Sequence, residues 1–92
     1  MEFEWDDTKA NSNLKKHGID FLDAVSIFLD PLRLEWLDDR RKYGEDRFRT
    51  IGTESKGHVL HVVYTEREGR IRIISARLAT RREREAYDEN FL

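Results

Sequence analysis

Apolar and polar residues alternate with a period of two over most of the chain after Pro31, which is typical of β-strands with one buried face. The four segments with this pattern are "LRLEWLD", "RFRTIGT", "HVLHVVYTE" and "IRIISAR". Two short stretches that contain glycine, "ESKG" and "EREG", separate the last three segments. Because such turns favour antiparallel hairpins, residues 33–77 are predicted to form a meander of four strands.

The segment before this meander predicts one short strand and two helices. The alternating residues "FEW" at positions 3–5 predict the strand. The aspartates of "WDD" and the glycine of "KHG" are suitable N-cap and C-cap residues, so the first helix should end near His17. Asp20 is expected to begin a second helix, whose apolar residues recur at i, i+3, i+4 and i+7 and which Pro31 ends.

A last helix is predicted to follow the meander. Thr80 is a suitable N-cap, and Glu83 stands three residues later, which is the spacing of a capping box. The resulting order is β-α-α-β-β-β-β-α, an α+β arrangement. No repeat, linker or low-complexity segment interrupts it, so residues 1–92 are predicted to form a single domain.

Composition favours a small folded core rather than a disordered chain. Charged residues make up 39% of the sequence, against roughly 25% in an average soluble domain. The 5 Phe, 2 Trp and 3 Tyr residues, the single proline and the periodic apolar runs nevertheless indicate a folded protein. The absence of cysteine excludes disulfides and thiolate metal sites. No apolar run approaches a membrane span, and the acidic N-terminus is unlike a signal peptide, so a soluble cytoplasmic protein is expected.

Charge is unevenly distributed along the chain. Residues 1–46 contain 12 acidic and 7 basic residues, a net charge of −5, whereas residues 47–92 contain 7 acidic and 10 basic residues, a net charge of +3. Most of the late basic residues are arginines, whose guanidinium forks suit phosphate and carboxylate groups. This favours an anionic partner, although a solvated sheet edge with scattered ion pairs would have the same composition.

Three arginines lie where the last predicted strand passes into the last helix: Arg77, Arg81 and Arg82. Cations at a helix N-terminus oppose the helix dipole, and the free N–H groups there attract anions. Because a local rule broken in this way is often functional, we expect an oxyanion or a phosphate near Arg77. The alternative is that Glu83 and Glu85 pair with these arginines on a solvated surface.

Further arginines could approach this junction across the sheet. Arg47 and Arg49 share one face of their strand, and Arg67 lies at the last hairpin turn. If that face opposes the N-terminus of the final helix, several guanidinium groups converge, an arrangement that stabilises the charge of phosphoryl transfer. Arg49 and Arg72 are themselves expected to be surface residues.

Candidate proton carriers are fewer. His17, at a helix C-terminus, could be a general acid or base, or only a C-capping residue. Glu45 follows an aromatic residue and a glycine and stands close to Arg47, which makes it a candidate for the corner of an active site. His61 shares a strand face with two valines and is expected to be a buried, hydrogen-bonded histidine. No pair of histidines has metal-ligand spacing, and there is no glycine-rich phosphate loop.

Three blocks of the sequence resemble the BrnT family of toxins from bacterial type II toxin-antitoxin systems. They are "FEWDDTKANSNLKKHGIDF", "YGEDRFRTIG" and "VVYTEREGRIRIISARLATRREREAY", and the resemblance extends over residues 2–88. It implies a RelE-like fold with a curved antiparallel sheet, and a metal-independent endoribonuclease that uses no cofactor and inhibits translation. It also implies an RNA substrate and a BrnA-like ribbon-helix-helix antitoxin, through which alone the complex would bind operator DNA.

The resemblance also implies roles for individual residues. RNA cleavage without a metal needs a base for the 2′-hydroxyl, cations for the phosphorane and an acid for the leaving 5′-oxygen. The expected catalytic residues are the proton carriers His17 and Glu45 and the cations Arg47, Arg67 and Arg77. The expected RNA-binding residues are Arg81 and Arg82, together with Tyr64 and Tyr87 as stacking surfaces or substitute proton carriers.

Two alternatives stay open at this point. A non-enzymatic module could bind RNA or a protein partner through the same basic face, and it would need the arginines but neither His17 nor Glu45. The face could also exist mainly to hold an acidic segment of the antitoxin. Comparing His17→Ala with Arg77→Ala for RNA binding and RNA cleavage would separate these alternatives.

Overall fold

A computed structural model of the protein describes residues 1–40 and 42–89. The elements follow the predicted order, which confirms the α+β class. The strands are β1 (Glu2–Glu4), β2 (Leu34–Leu37), β3 (Phe48–Thr53), β4 (Val59–Arg67) and β5 (Arg70–Leu78). The helices are α1 (Asp7–His17), α2 (Phe21–Val25) and α3 (Arg81–Glu89), and a 3-10 helix (Ser26–Leu29) follows α2 directly. No helix in these ranges is long and apolar enough to cross a membrane.

The helices begin and end at residues that the sequence marks as caps. The Asp6 side chain accepts a hydrogen bond from the backbone N–H two residues on at 3.1 Å, and Gly18 ends α1 with a φ of 72°. Asp20 caps α2 in the same way at 3.0 Å. The second helix is shorter than predicted, because it keeps α geometry only to Val25 and then tightens into the 3-10 helix, as helix C-termini often do.

One sheet contains all five strands in the order β1-β5-β4-β3-β2. Strands β2 to β5 form the predicted antiparallel meander. The first strand instead lies parallel to β5, with Phe3 opposite Ile71, so the sheet is mixed at that edge. The β4–β5 register shifts between Val63 and Tyr64, and such a bulge increases the local twist.

The hydrophobic core lies between the first two helices and one face of the sheet. Buried residues of α2 and the 3-10 helix pack there on the central strands. The cluster consists of Phe21, Ala24, Ile27, Leu60, Val62, Tyr64, Ile71, Ile73 and Ala76. On β3, Gly52 permits close approach of the 3-10 helix, since a Cβ there would stand 3.2 Å from the Ile27 Cβ.

Asn13 of α1 occupies the edge of β5 beyond the end of β1. Its Nδ2 donates to the Ala76 carbonyl at 2.7 Å and to the Ile19 carbonyl at 3.1 Å, and its Oδ1 accepts the Ala76 N–H at 3.1 Å. The side-chain amide therefore takes the place of a neighbouring strand and satisfies backbone groups that the short β1 leaves unpaired. These bonds fix α1 against β5.

Candidate functional site

The face of the sheet opposite α1 and α2 carries six arginines. Side chains alternate across a strand, and the β5 residues Ile71, Ile73 and Ala76 belong to the core. Their neighbours Arg70, Arg72 and Arg77 therefore point to the other side. The strand register places Arg49 of β3 and Arg67 of β4 on that same side, and Arg47, which directly precedes β3, contacts the same glutamate as Arg67. We call this surface the arginine face, and its arginines are Arg47, Arg49, Arg67, Arg70, Arg72 and Arg77.

Three glutamates hold these arginines in pairs. Each of these glutamates contacts two of the arginines. The groups are Glu83 with Arg77 and Arg49, Glu45 with Arg67 and Arg47, and Glu4 with Arg70 and Arg72. The Glu83 and Glu45 groups each keep an excess of positive charge, which suits a face that binds a polyanion. In the third group Arg70 also lies 3.3 Å from Glu68, so its charges are balanced.

The group at the N-terminus of α3 contains the most buried of the three carboxylates. Arg77 donates from Nη1 and Nη2 to the two oxygens of Glu83 at 2.7 and 3.0 Å. Arg49 Nη2 lies 3.7 Å from Glu83 Oε2, and its guanidinium also packs over the ring of Trp36. The side chain of Glu83 is 14% exposed, against 26% and 24% for the glutamates of the other two groups. Two guanidinium groups therefore converge on one shielded carboxylate.

Glu83 reaches this position because it is half of a capping box. The Thr80 N–H donates to Glu83 Oε1 at 2.9 Å, and the Glu83 N–H donates to Thr80 Oγ1 at 3.2 Å. These bonds confirm the predicted capping box. Burial alone would raise the pKa of Glu83, but the hydrogen bonds from Arg77 and the Thr80 N–H outweigh it and lower the pKa to about 2. The carboxylate is therefore ionised while it caps α3 and pairs with Arg77.

His61 of β4 lies in the same group, directly opposite Arg77 of β5. Its Nε2 accepts a hydrogen bond from Arg49 Nε at 3.1 Å and lies 3.8 Å from Glu83 Oε2. Burial and the charges of Arg77 and Arg49 lower the pKa of His61 to about 4, although Glu83 opposes them. The imidazole is therefore neutral at pH 7 and carries its proton on Nδ1. This confirms the predicted buried, hydrogen-bonded histidine. We call Arg49, His61, Arg77 and Glu83 the Glu83 cluster.

A second group, the Glu45 cluster, consists of Glu45, Arg47 and Arg67. Glu45 Oε1 accepts a hydrogen bond from Arg67 Nη2 at 2.9 Å, and Glu45 Oε2 lies 3.5 Å from Arg47 Nε. The guanidinium of Arg47 lies over the ring of Tyr43, 4.1 Å from its centroid. The hydrogen bond from Arg67 lowers the pKa of Glu45 more than burial raises it, so this carboxylate is also ionised at neutral pH.

The predicted catalytic residues do not form one site. Arg77 lies opposite His61, and Arg67 is six residues further along β4, a separation of about 20 Å at the rise of a β-strand. The Glu83 and Glu45 clusters therefore occupy opposite ends of the arginine face. Of the arginines considered for convergence on the N-terminus of the last helix, Arg49 meets Arg77 there, whereas Arg47 and Arg67 pair with Glu45 instead.

Arg49 and Arg72 are less exposed than predicted. Their side chains are 21% and 27% exposed, because each packs against neighbours on the arginine face. Alternation in the sequence already places Arg49 beside Arg47, but the register of the strands decides which carboxylate each arginine meets. A count of residues back from the last hairpin turn brings His61 opposite Ala76, and only the bulge between Val63 and Tyr64 shifts it to Arg77, so the sequence carried no simple signal for this pair.

His17 lies at the C-terminus of α1 rather than on the arginine face. It borders a groove of about 310 Å³ between α1 and β5, which Ile74 and Ser75 also line. Gly18 ends the helix there in a left-handed conformation, as predicted. Within residues 1–40 and 42–89, no group of three or more His, Asp or Glu side chains could hold a metal ion.

Tyr64 and Tyr87 are buried, each 3% exposed. Tyr64 stacks on Phe48 with ring centroids 5.3 Å apart and donates a hydrogen bond to Glu35, whereas Tyr87 donates to Asp30. Neither ring offers a face to an RNA base, which corrects the stacking role predicted for them. Burial and the bond to Glu35 also raise the pKa of Tyr64, which makes its hydroxyl a poorer proton carrier.

Arg81 and Arg82 are exposed on the first turn of α3. Arg81 Nε lies 3.2 Å from Glu85 Oε1 one turn further on, and its side chain is 88% exposed. This is the pairing on a solvated surface that the sequence left open. Both arginines stand on the helix that carries Glu83, so they add positive charge next to the Glu83 cluster.

Comparisons with known proteins agree on one family. The family model described as "Ribonuclease toxin, BrnT, of type II toxin-antitoxin system" matches residues 5–83. Among solved structures, the 1.1 Å crystal structure of the Brucella abortus ribonuclease toxin BrnT is similar, with a TM-score of 0.66 and 25% sequence identity. That similarity covers 88% of this chain and 99% of the Brucella chain. No curated protein sequence matches.

Proposed function

Because this chain belongs to the BrnT family of ribonuclease toxins of type II toxin-antitoxin systems, we propose that it is a metal-independent endoribonuclease that inhibits translation by cleaving RNA. The observation that supports this most directly is the Glu83 cluster, where two guanidinium groups and a neutral imidazole surround one carboxylate. Cations and a proton acceptor are two of the three components that RNA cleavage without a metal requires.

In the proposed reaction, Arg77 and Arg49 bind the scissile phosphate. A carboxylate and a phosphate both present a pair of oxygens to a guanidinium fork, so the carboxylate of Glu83 marks a position that an oxyanion fits. Positive charge fixed at this point stabilises the phosphorane as the 2′-hydroxyl attacks the phosphorus and the 5′-oxygen leaves. The partial burial of both guanidinium groups strengthens this effect because less water competes for them.

His61 is the proposed proton acceptor for the 2′-hydroxyl. It is neutral at pH 7, and its one lone pair, on Nε2, accepts the hydrogen bond from Arg49 Nε in the free protein. Because His61 is only 2% exposed, we propose that Arg49 turns to the phosphate when RNA binds, which frees Nε2 and opens it to the 2′-hydroxyl. As the phosphorane forms it gains a second negative charge beside the imidazole, and this charge raises the pKa of His61 toward the range in which a general base is effective.

His17, a proton carrier expected from the sequence, lies outside the arginine face, so the proposed reaction gives it no step at the Glu83 cluster. The leaving 5′-oxygen takes its proton from water, and His17→Ala should cleave RNA at the rate of wild type.

The Glu45 cluster is proposed to bind the RNA backbone away from the scissile bond. Arg67 lies about 20 Å from Arg77 along the sheet, too far to share one phosphate with it. Glu45 is ionised at neutral pH, as an ordinary glutamate is, and its bond to Arg67 lowers its pKa further, so it suits an ion-pair partner better than a proton donor. Arg81 and Arg82 are proposed to extend the backbone contacts beyond the Glu83 cluster.

The proposed protein partner is a BrnA-like ribbon-helix-helix antitoxin, through which the complex would bind operator DNA. The support is membership in a type II family, in which a protein antitoxin neutralises the toxin. The proposed site of action is the cytoplasm, where RNA is translated. Addition of purified antitoxin should abolish RNA cleavage and restore protein synthesis in a cell-free translation reaction. Unchanged cleavage at an equimolar or higher antitoxin concentration would contradict this part of the proposal.

The test of the enzymatic function is cleavage of a labelled RNA in EDTA by the purified protein. Wild type should cut, and Arg77→Ala should cut about 10²–10³-fold more slowly, because it removes the cation that holds the phosphate. Arg84→Ala is the matched control, since Arg84 is an exposed arginine of the same helix outside the arginine face. Restoration of activity only by added metal would contradict metal independence.

The same experiment separates the enzyme from a non-enzymatic module. If folded wild type binds the RNA but does not cut it, either alone or with ribosomes, the arginine face acts only in binding. That result would favour the alternative in which RNA or a protein partner is held without chemistry.

A further inference from the structure

We propose that Glu83 occupies the phosphate site in the free protein as an internal competitor, so that RNA must displace its carboxylate before Arg77 and Arg49 can engage the scissile phosphate. This inference rests on the proposed function, because it takes the Glu83 cluster as the place where the phosphate binds. It assigns a restraining role to a residue that neither the sequence nor family membership assigns to the site.

The donors around the Glu83 carboxylate match those that an RNA phosphate would use. The two Nη nitrogens of Arg77 donate to the two carboxylate oxygens of Glu83. Arg49 lies beside Oε2, and the Thr80 N–H donates to Oε1. Guanidinium forks and the N-terminal N–H groups of a helix also bind phosphate oxygens. The carboxylate and a phosphate therefore compete for one set of donors.

Glu83 can leave this set without unfolding α3. Only one of the two capping bonds uses its carboxylate, namely the bond from the Thr80 N–H. The other joins the Glu83 N–H to Thr80 Oγ1 and stays in place when the side chain turns away. The residue lies in the first turn of a helix whose outward side is exposed, so the carboxylate can move into water.

The two anions exclude each other on electrostatic grounds. With His61 neutral, the cluster holds two positive charges from Arg49 and Arg77, and Glu83 cancels one of them. A phosphodiester beside a retained carboxylate would bring two negative charges within a few ångströms in a partly buried place, which costs free energy. RNA binding therefore requires Glu83 to leave, and removal of its charge should tighten binding.

The variant Glu83→Gln isolates the charge from the helix cap. Glutamine also serves at the third position of a capping box, so the variant should keep α3 and lose only the anion. The probe is a fully 2′-O-methylated RNA oligonucleotide, which cannot be cleaved because it has no free 2′-hydroxyl. We expect its affinity, measured by fluorescence anisotropy at fixed salt, to rise roughly tenfold, as expected when a charge-assisted hydrogen bond no longer has to be broken.

Glu89→Gln is the matched control. It removes the same charge from the same helix, but Glu89 is an exposed residue at the opposite end of α3 from the Glu83 cluster. A general gain from lower negative charge would appear equally in both variants and would overturn the proposal. Equal or weaker binding by Glu83→Gln, with circular dichroism and thermal unfolding like those of wild type, would also overturn it, because Glu83 would then orient the arginines instead of competing for them.

A measurement on wild type keeps the proposal testable if Glu83→Gln does not fold. Titration with inorganic phosphate should shift the NMR signals of the Arg77 guanidinium and the Glu83 carboxylate together, with one saturation curve. A shift of Arg77 without Glu83 would contradict displacement. Both binding measurements are independent of cleavage, so an inactive protein with tighter binding in Glu83→Gln would refute the proposed enzyme and leave the competition intact.

Discussion

The two ends of the arginine face use the same chemistry in different surroundings. At one end, Glu83 is 14% exposed and joins two guanidinium groups beside the buried His61. At the other end, Glu45 is 26% exposed and its partner Arg67 is 49% exposed, so water screens their interaction. Burial makes the first end suitable for stabilising the charge of a reaction, and exposure makes the second suitable for reversible contact with an RNA backbone.

The largest effect that separates the two ends is expected from His61→Gln. Glutamine can still accept the hydrogen bond from Arg49 but cannot take the proton of the 2′-hydroxyl, so the single-turnover cleavage rate should fall about 10²–10⁴-fold. His58→Gln is the matched control, because His58 is a mainly exposed histidine directly before β4. Cleavage by His61→Gln at the rate of wild type would remove His61 from the mechanism.

The buried histidine should also make folding depend on pH. The pKa of His61 is lowered from 6.5 to about 4 in the folded protein, so the unfolded chain binds this proton first as the pH falls. The free energy of unfolding should therefore decrease between pH 6.5 and 4, by up to a few kcal/mol. Urea unfolding of wild type and His61→Gln at pH 7 and 5 measures this. If both proteins lose the same stability, the dependence comes from other groups.

A smaller difference is expected when each glutamate is truncated. Glu83→Ala removes half of a capping box and leaves Arg77 partly buried without its carboxylate, which should cost about 1–3 kcal/mol of unfolding free energy. Glu45→Ala removes an ion pair at a more exposed position and should cost about 0–1 kcal/mol. Urea unfolding at pH 7 compares the two. Equal losses would show that burial does not distinguish the ends.

Local structure followed from the sequence because its causes are local. The aspartate and glycine caps of α1 and the capping box of Thr80 and Glu83 each depend on residues a few positions apart, and all of them are confirmed. The four-strand meander followed from alternation and short glycine turns. The parallel pairing of β1 with β5 could not be predicted, because a strand of three residues carries no signal for its partner.

The candidate site was harder to predict because it depends on register across strands. The sequence marked Arg77 and offered pairing with Glu83 as an alternative, and the structure contains that pair. It gave no reason to bring His61 and Arg49 to the same carboxylate, since they come from different strands. Tyr64 is buried in the core and so is not available for the RNA contact predicted for it. Alternation with a period of two does not show whether a tyrosine packs in the core or is exposed to stack on an RNA base.

The most direct test of the central claim compares Arg77→Ala with Arg67→Ala in single-turnover RNA cleavage in EDTA, over a range of protein concentrations up to saturation. This separates the rate of the bound complex from RNA affinity. If chemistry occurs at the Glu83 cluster, Arg77→Ala should lose rate at saturation, whereas Arg67→Ala should need more protein but reach the rate of wild type. A loss of the saturated rate in Arg67→Ala with full activity in Arg77→Ala would contradict the account.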